Sequence, residues 1–500
     1  MKLRKNLLWV LALVLVLLAG CQNHPTEPTT TAPTVTEPPV EQLKLVVTED
    51  TIGQLEQYPA LKQVDLTGST CYEAIAQYKE KHPKVEVTYT VELGTIKAAN
   101  TETALVLDPG SCDYETLSKN LAYLPQVETV SLPRTNYSAQ EMVALQGLYP
   151  DVTWDFTMIV LGQELTKETT SLNLSVLEPE RVADVAGKIG LFPNVIKVEL
   201  MDSFGQSQLS KADVKLLQTS APNAVFHYVF DLFGKTVATT DERIEFVKQD
   251  IGNEGVEELR GALEILQGCN YFLLDSCGID NETMASIREE FRGRTKVVWR
   301  VWFGVTNRYT FLTDTDTIRA VYNVTDDTCG PMKYCEDVKY MDLGHNEYLT
   351  DITFIEPMKQ IEIVILSGSP ITDLTPFTDH KNLVFLELAY CGHIKDVSAL
   401  KGCTSLAHIN LSYTKVSDIS PLYELPLEQL CAVKSKIQWS SWEKILEVRP
   451  NCVIRYDGSQ PYGTGWRYKR SGAFTEIYAK VREVFDLDEV DKRLEASKNN

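Results

Sequence analysis

Between residues 338 and 437 the sequence repeats itself. Five segments share one pattern of apolar residues and start at residues 338, 361, 383, 406 and 427, which are 23, 22, 23 and 21 residues apart. An acidic residue followed by Ile, Leu or Val stands in phase after the first four segments, at Asp351, Asp373, Asp396 and Asp418. Such a period predicts a solenoid, because no single coil can bury its own apolar face and at least about three must stack.

Each segment has the form L-x-x-L-x-L, in which the apolar residues point inward and the x residues of the strand line one outer face. A small or polar residue follows three positions after the last strand residue: Asn346, Ser369, Cys391 and Thr414. We expect these side chains to satisfy backbone groups that the turn leaves unpaired. The Asp of each coil is suited to cap a short helical turn, in which Pro376 and Pro421 fit because proline needs no donor.

The spacing and the turn Val416-Ser-Asp-Ile-Ser-Pro-Leu422 resemble the 22-residue repeats of bacterial internalin-type proteins, and the resemblance covers residues ~338–437. It implies a leucine-rich-repeat fold and extracellular binding, which in that family is carried by the concave strand face. The chain departs from the family in having fewer regular repeats, a long irregular N-terminal portion and a lipid-anchor signal instead of a wall-sorting end. A bacterial leucine-rich-repeat lipoprotein is therefore the expected class.

The outward strand positions and the strand exits supply the candidate ligand-binding residues, which are Tyr340, Asp342, Ile363, Phe385, Glu387, Tyr390, His408, Asn410 and Tyr413. Aromatic side chains among carboxylates suit a protein or glycan ligand, because tyrosine offers a large contact area with a polar tip. The alternative is that Ile363, Ile365 and Phe385 are covered by another part of this chain.

Residues 55–305 contain a looser repeat of about 70 residues, in which each of four segments has a strand, a helix and a strand ending in glycine. The glycines are Gly94, Gly162, Gly234 and Gly304, and the expected helices are Tyr72–Lys81, Gln140–Leu148, Lys211–Thr219 and Glu282–Phe291. The predicted fold class is an α/β solenoid, a leucine-rich repeat with a degenerate ~70-residue strand–helix repeat before it. The alternative is two packed α/β domains.

Two aromatic strands, Val152–Phe156 and Val297–Phe303, could form a sugar-stacking platform, although such residues more often fill a core. Near the C terminus, Phe474, Ile477, Val481 and Phe485 recur at helical spacing. Because a solenoid needs a cap over its last open coil, this amphipathic helix is expected to be part of a cap. A helix that docks a partner is the alternative.

The N terminus predicts export. Lys2, Arg4 and Lys5 precede the apolar run Leu7–Leu18, a pattern typical of a secretory signal, and the run is short for a bilayer core of about 30 Å. The following L-A-G-C resembles a bacterial lipobox, which implies cleavage before Cys21 and attachment of lipid, such as palmitate, to that residue. The expected location is the extracytoplasmic face of a bacterial cell membrane.

The predicted domains are a signal peptide (1–20), a lipidated cysteine with a disordered tether (21–42), degenerate repeats (43–325), leucine-rich repeats (326–440) and a C-terminal capping unit (441–500). In the tether, eleven of the 21 positions 22–42 are Pro or Thr, which excludes a packed core. The net charge of −21 argues against nucleic acid and anionic polymers as partners.

The sequence contains no motif of a hydrolase, a nucleotide-binding loop or a zinc site, so no catalytic residue, cofactor or metal is predicted. Asp314-Thr-Asp316 and Asp326-Asp327 could hold calcium, but they lack the glycine and the terminal glutamate of an EF-hand. Ten cysteines remain besides Cys21. Their pairing stays open, because exported chains can form disulfides while thiols at repeat positions are usually packing residues.

These observations predict a non-catalytic, membrane-anchored binding protein. Its partner is expected to be a protein or glycan that contacts the exposed strand face. A cell-envelope scaffold without a discrete ligand is the first alternative, and an enzyme of unfamiliar type is the second.

Overall fold

A computed structural model describes residues 39–498. The predicted signal peptide, Cys21 and residues 22–38 of the predicted tether lie outside the described residues. Contacts divide the chain into two units: unit 1 runs to Ser131 and includes Pro150–Trp154, and unit 2 comprises Leu132–Tyr149 and the residues from Asp155 onward. Within the described range, no helix combines the length and apolar character that a membrane crossing requires.

Unit 1 contains two three-stranded sheets and a β-hairpin. The first sheet is parallel and the hairpin is antiparallel; the strands are β1 (Gln42–Lys44), β2 (Gln63–Asp65) and β3 (Glu86–Thr88), then β4 (Thr90–Leu93) and β5 (Ile96–Ala99). The second sheet has β6 (Ala104–Val106), β7 (Thr129–Leu132) and β8 (Thr153–Phe156). Helices α1 (Tyr72–Lys81) and α2 (Tyr114–Asn120) connect strands. Inward strand residues such as Val64 and Val130 form the core, because alternate residues of a strand face opposite sides.

The first part of unit 2 has the same kinds of element. Its helices are α3 (Ala139–Leu148), α4 (Val182–Ile189), α5 (Lys211–Ser220), α6 (Val256–Ile265) and α7 (Asn281–Glu290). Two hairpins are formed by β9 (Met158–Val160) with β10 (Gln163–Leu165) and by β14 (Val229–Leu232) with β15 (Lys235–Ala238). A parallel three-stranded sheet comprises β11 (Ser171–Asn173), β12 (Lys197–Glu199) and β13 (Val225–His227). A four-stranded sheet comprises the parallel strands β16 (Arg243–Val247), β17 (Tyr271–Asp275) and β18 (Lys296–Phe303), and β19 (Tyr309–Leu312) pairs antiparallel with β18.

The four helices expected in the 70-residue segments are confirmed within one residue at each end. Local chemistry explains this: Ser138 and Ser210 each form a capping box with the third helical residue of α3 and α5. The four segment-ending glycines lie in the connections β4–β5, β9–β10, β14–β15 and β18–β19, with φ between 63° and 78°. A residue without a Cβ adopts this left-handed conformation at low cost, and the chain then reverses into the next strand.

The C-terminal part of unit 2 is a seven-stranded parallel sheet in which each strand pairs with the next along the chain. The strands are β20 (Thr317–Arg319), β21 (Tyr340–Asp342), β22 (Ile363–Ile365), β23 (Phe385–Glu387), β24 (His408–Asn410), β25 (Gln429–Cys431) and β26 (Val453–Arg455). Short 3-10 helices connect most of them, and α8 (Trp439–Val448) precedes β26. Helices α9 (Glu476–Val484) and α10 (Leu487–Lys498) follow. Stacked strands with 3-10 returns are a leucine-rich-repeat arrangement.

The predicted role of the small or polar residues that follow each strand is confirmed. We call Asn346, Ser369, Cys391 and Thr414 the polar ladder. Asn346 donates to the carbonyls of Leu343 (2.8 Å) and Ala320 (3.0 Å) and accepts from the amide of Val324 (2.8 Å). In the following coils, Ser369, Cys391 and Thr414 donate to backbone carbonyls at 3.4, 3.2 and 2.7 Å, and all are buried. Each coil therefore satisfies backbone groups that would otherwise be buried without a partner.

The aspartates of the repeat act one position earlier than a standard N-cap. Asp351, Asp373, Asp396 and Asp418 accept the amide of the first 3-10 residue at 2.7–2.8 Å, whereas the N-cap is the following Ile, Leu or Val. Hydrogen bonds from Thr375 hold the pKa of Asp373 below its ordinary value. The charged aspartate is thus the form that holds the turn.

All ten cysteines of the described chain are buried free thiols. Their sulfurs lie in the core, as shown by Cys403, which donates to the carbonyl of Phe377 at 3.2 Å. Burial raises the pKa of Cys403 to about 12, so the thiol stays protonated. These residues pack as small apolar side chains.

We expect Asn346→Ala to lower the free energy of unfolding of unit 2 by about 3 kcal/mol, because buried carbonyls and an amide lose their partner. Urea unfolding of the full chain measures this. Asn382→Ala is the matched control: Asn382 is exposed and donates only to the carbonyl of Lys359 at 2.9 Å, so its loss stays below about 1 kcal/mol. Equal losses would contradict the ladder's role.

Candidate ligand-binding face

The predicted ligand-binding residues lie in register on the outward face of β21–β24. Tyr340, Ile363, Phe385 and His408 align in one column, and Asp342, Ile365, Glu387 and Asn410 align in a second. Parallel pairing places equivalent residues of successive coils side by side. The predicted strand residues therefore lie side by side on one face, and their role in ligand binding stays a prediction.

Most of the face is covered by residues 459–487 of the same chain, here called the C-terminal segment. Ile363 and Phe385 are buried in one apolar cluster with Trp466, Val481 and Phe485, and the rings of Phe385 and Trp466 stack 5.0 Å apart. The segment was expected to close the last coil; it packs instead on the outward face. The structure matches the alternative prediction, in which another part of the chain covers the apolar residues of the face.

Glu387 is the polar centre of this contact. Its side chain is 0% exposed, and its carboxylate accepts from Trp466 Nε1 at 2.5 Å, from Arg467 Nη2 at 3.2 Å and from Ser367 Oγ at 3.1 Å. The Arg467 guanidinium lies 4.0 Å from the ring of Tyr462. Burial acts to lower the pKa of Arg467, but the adjacent Glu387 carboxylate and two tyrosines hold it above its ordinary value. The arginine therefore stays charged and pairs with Glu387.

Further polar contacts fix the segment along the face. Asn410 donates to the carbonyl of Pro461 at 3.0 Å, and the hydroxyl of Tyr413 donates to the carbonyl of Ser459 at 2.9 Å. On the other side of the cluster, Lys480 pairs with Glu362 at 2.9 Å. Together with the contacts of Glu387, these contacts involve three coils, so they fix the register of the segment relative to the sheet.

Two predicted face residues have other partners. His408 is buried and its Nδ1 lies 2.9 Å from Gln429 Oε1, and burial lowers its pKa. Asp342 accepts from the amide of Gly344 at 3.1 Å and from Arg319 Nε at 3.2 Å, while burial raises its pKa. Both side chains therefore have hydrogen-bonding partners within the fold. Ligand binding by His408 and Asp342 stays a prediction.

The strand exits are less covered than the strands. Residues with a positive φ recur there from coil to coil: Tyr322 (68°), His345 (59°), Gly368 (81°), Tyr390 (66°), Tyr413 (58°) and Lys434 (62°). The rings of Tyr322 and His345 stack at 5.4 Å, and those of Tyr390 and Tyr413 stack at 4.6 Å. Exposure is 55% for Tyr322 and 47% for Tyr390, and Tyr348 beside them is 74% exposed. We call Tyr322, His345, Tyr348, Tyr390 and Tyr413 the strand-exit row.

Sequence reasoning missed Tyr322 and Tyr348. Tyr322 stands 23 residues before His345, which is one repeat, but β20 lies before the first regular segment and lacks its leucine pattern. Tyr348 lies just beyond the strand exit, where its exposure could not be inferred from periodicity. The in-phase position of Tyr322 was the available signal.

The other sequence candidates form no separate site. Trp299 and Phe303 of the second aromatic strand are buried in the core, and the Arg288 guanidinium lies 4.9 Å from the Trp299 ring. Asp326, a calcium candidate, accepts the amides of Thr350 at 2.7 Å and Asp351 at 2.9 Å. Among residues 39–498, no group of three or more His, Cys, Asp or Glu side chains is placed to hold a metal ion.

Comparison with known proteins gives structural neighbours only. No family model matches the chain, and no curated protein matches it. Among 201 matching solved chains are an internalin (inlF) of Listeria monocytogenes, with 16% identity over 68% of this chain and 78% of that one and a TM-score of 0.27, and a leucine-rich-repeat protein of Leptospira interrogans, with 14% identity over 68% and 92% and a TM-score of 0.25.

A third match is the Toll–Spatzle complex of Drosophila, with 14% identity over 73% of this chain and 45% of that one and a TM-score of 0.24. At these scores the fold assignment rests on the coils themselves. The parallel strands, the 3-10 returns and the polar ladder define a leucine-rich-repeat type of fold.

We expect Arg467→Met to destabilise unit 2 by about 3–5 kcal/mol, because it leaves the Glu387 carboxylate buried without its cation. The double variant Glu387→Gln with Arg467→Met should lose less than the sum of the two single losses, since the uncompensated charge is gone. Thermal unfolding of the four proteins measures this coupling. Additive losses would show that the two side chains do not act as a pair.

Proposed function

We propose that the chain is a non-catalytic protein-binding module that contacts its partner through the strand-exit row. The observation that carries this proposal is the exposure of stacked aromatic side chains beside a sheet face that the chain itself has filled. The row consists of two stacked pairs on either side of Gly368, and accessible aromatic residues of this kind are typical of interaction sites. Tyrosines also suit a wet interface, because their hydroxyls keep hydrogen-bonding partners on binding.

The fixed backbone of the row supports this role. The side chains come from coils of one sheet, so their spacing is set by strand pairing and little ordering is needed on binding. The stacked pairs Tyr322–His345 and Tyr390–Tyr413 restrict the rings further. A glycan that stacks on the same rings is the alternative ligand.

The experiment is capture of a partner from cell-surface and wall extracts by the full chain. Replacing Tyr322, Tyr348 and Tyr390 together by Glu should reduce capture at least about tenfold, because the charges interrupt the row without entering the core. Phe204→Glu with Trp439→Glu is the matched control, since both side chains are exposed apolar residues outside the row. Capture that the row variant retains and the control loses would overturn the proposal. Capture of nothing by any form would favour a scaffold.

We also propose that the protein is held at the extracytoplasmic face of a bacterial membrane by lipid on Cys21. The motif L-A-G-C after a basic and an apolar region supports this, as does the Pro- and Thr-rich stretch behind it. Cys21→Ser should move the chain from the membrane fraction to the soluble fraction of the producing cell. Unchanged fractionation would contradict the anchor.

The 70-residue segments are proposed to be divergent coils of the same kind as the regular repeats. Their parallel three-stranded groups and intervening helices support this. Binding would then be concentrated in the coils of the seven-stranded sheet, where the strand-exit row lies.

A further inference from the structure

The first column of the outward face continues beyond the part that the C-terminal segment covers. After Phe385, strand register places His408, Gln429 and Val453 side by side on β24, β25 and β26. All three residues line a groove of ≈ 1350 Å³, which residues 464–480 of the C-terminal segment line as well. The last coils of the sheet therefore keep an accessible cavity on their strand face.

The charges that line this groove nearly balance. Lys480 pairs with Glu362 at 2.9 Å, and Lys469 pairs with Glu476. The lining contains four cationic and three acidic side chains, which are Arg455, Lys469, Arg470, Lys480, Glu428, Asp457 and Glu476. A lining of both signs gives no strong preference for an anion or a cation, so it favours an uncharged ligand that can both donate and accept hydrogen bonds.

His408 offers the groove a hydrogen-bond acceptor that the fold leaves unused. Its Nδ1 atom lies 2.9 Å from Gln429 Oε1, while Gln429 Nε2 lies 3.5 Å from the carbonyl oxygens of Gly465 and Trp466. The amide oxygen therefore faces the imidazole, and Nδ1 carries the proton. Burial lowers the pKa of His408, so at neutral pH the ring is uncharged and Nε2 is an acceptor. Within residues 39–498, Nε2 has no hydrogen-bond partner and lies 3.7 Å from Glu428 Oε2.

Two acceptors thus lie next to each other in the groove: Nε2 of His408, which is only 8% exposed, and the carboxylate of Glu428, whose side chain is 73% exposed. Hydroxyl groups on neighbouring carbons can donate one proton to each acceptor, and sugar rings carry such pairs. An anion has no proton to donate here. An ammonium group does, but the four cations of the lining disfavour it.

An aromatic ring in the same groove can support a sugar ring. Tyr468 lines the groove and is 39% exposed, and its ring stacks on that of Phe474 with centroids 5.1 Å apart. The carbonyl of Tyr468 accepts from the amide of Gly465 at 2.8 Å, and the carbonyl of Gly465 lies 3.5 Å from Gln429 Nε2. These contacts connect the tyrosine to the residue that bonds His408. The apolar C–H face of a sugar can pack on such a ring while its hydroxyls stay free for hydrogen bonds.

We propose that this groove binds an uncharged oligosaccharide, with adjacent hydroxyls donating to His408 Nε2 and to Glu428 and one sugar ring packed on Tyr468. The volume of the groove suits several sugar rings, because pockets for drug-sized ligands measure about 300–1,000 Å³. None of the residues that line the groove belongs to the strand-exit row. The saccharide site and the proposed protein site can therefore fail independently of each other.

The test measures binding of neutral tetrasaccharides of glucose, galactose and mannose, each in α- and β-linkage, to the full chain by isothermal titration calorimetry. We expect at least one of them to bind with a Kd below about 1 mM. Its fully O-methylated form keeps the rings but has no hydroxyl donor, so it should bind at least about tenfold more weakly. Absence of binding by all the tetrasaccharides would overturn the proposal, and so would equal binding of the methylated form.

Two pairs of variants locate the site. His408→Asn keeps a nitrogen that can bond to Gln429 and removes Nε2, so it should weaken binding about tenfold, whereas His408→Gln can place an amide oxygen near the position of Nε2 and should retain most of the binding. Tyr468→Ala should weaken binding about tenfold, and Tyr468→Phe should leave it unchanged. Unchanged binding by both His408→Asn and Tyr468→Ala would overturn the proposal.

The variant with Tyr322, Tyr348 and Tyr390 replaced by Glu is the control, and it should bind the saccharide as the unmodified chain does. Loss of saccharide binding in this variant would place the saccharide at the strand-exit row and overturn the groove. Should His408→Asn not fold, nitrogen NMR of the histidine-labelled unmodified chain decides, because a hydroxyl that donates to Nε2 shifts the signal of that atom. The His408→Gln variant lacks this signal and so assigns it. A shift on addition of the saccharide is expected, and an unchanged signal would overturn the proposal.

Discussion

Backbone pairing between successive coils is the constraint on which the C-terminal half depends. A coil of about 22 residues has too little surface to bury its own polar backbone, so every strand and turn borrows partners from its neighbours. Asn346 shows this within one side chain, because it bonds to its own coil and to the coil before it. The same stacking aligns the face columns, positions the strand-exit row and leaves one edge unpaired where the coils stop.

The second organising contact is the buried pair of Glu387 and Arg467. A carboxylate on the outward face of a sheet would normally meet water or a ligand, but here it meets an arginine and a tryptophan of the same chain. A buried charge is costly without a partner, so the C-terminal segment and the face are interdependent. Because the chain itself fills the centre of the face, the proposed binding is assigned to the strand-exit row at its margin.

Local sequence chemistry was enough for much of the fold. The capping boxes at Ser138 and Ser210 and the glycines at the hairpins act over a few residues, which is why the predicted helices and turns were confirmed. The coil register was equally accessible, because the repeat itself states which residues are equivalent. The covering of the face could not be predicted, because Glu387 and Arg467 are 80 residues apart and no local sequence pattern indicates that they pair.

The sequence by itself determined the repeat, the inward and outward positions of each strand and the residues that satisfy its turns, because these follow from a period of one coil. Only the tertiary structure decided which outward residues remain accessible. That outcome depends on where the amphipathic helix of the tail settles, and the helix gains more by burying Val481 and Phe485 against Ile363 and Phe385 than a surface position would give. Periodicity shows that such a helix needs an apolar surface; only the fold shows which surface it covers.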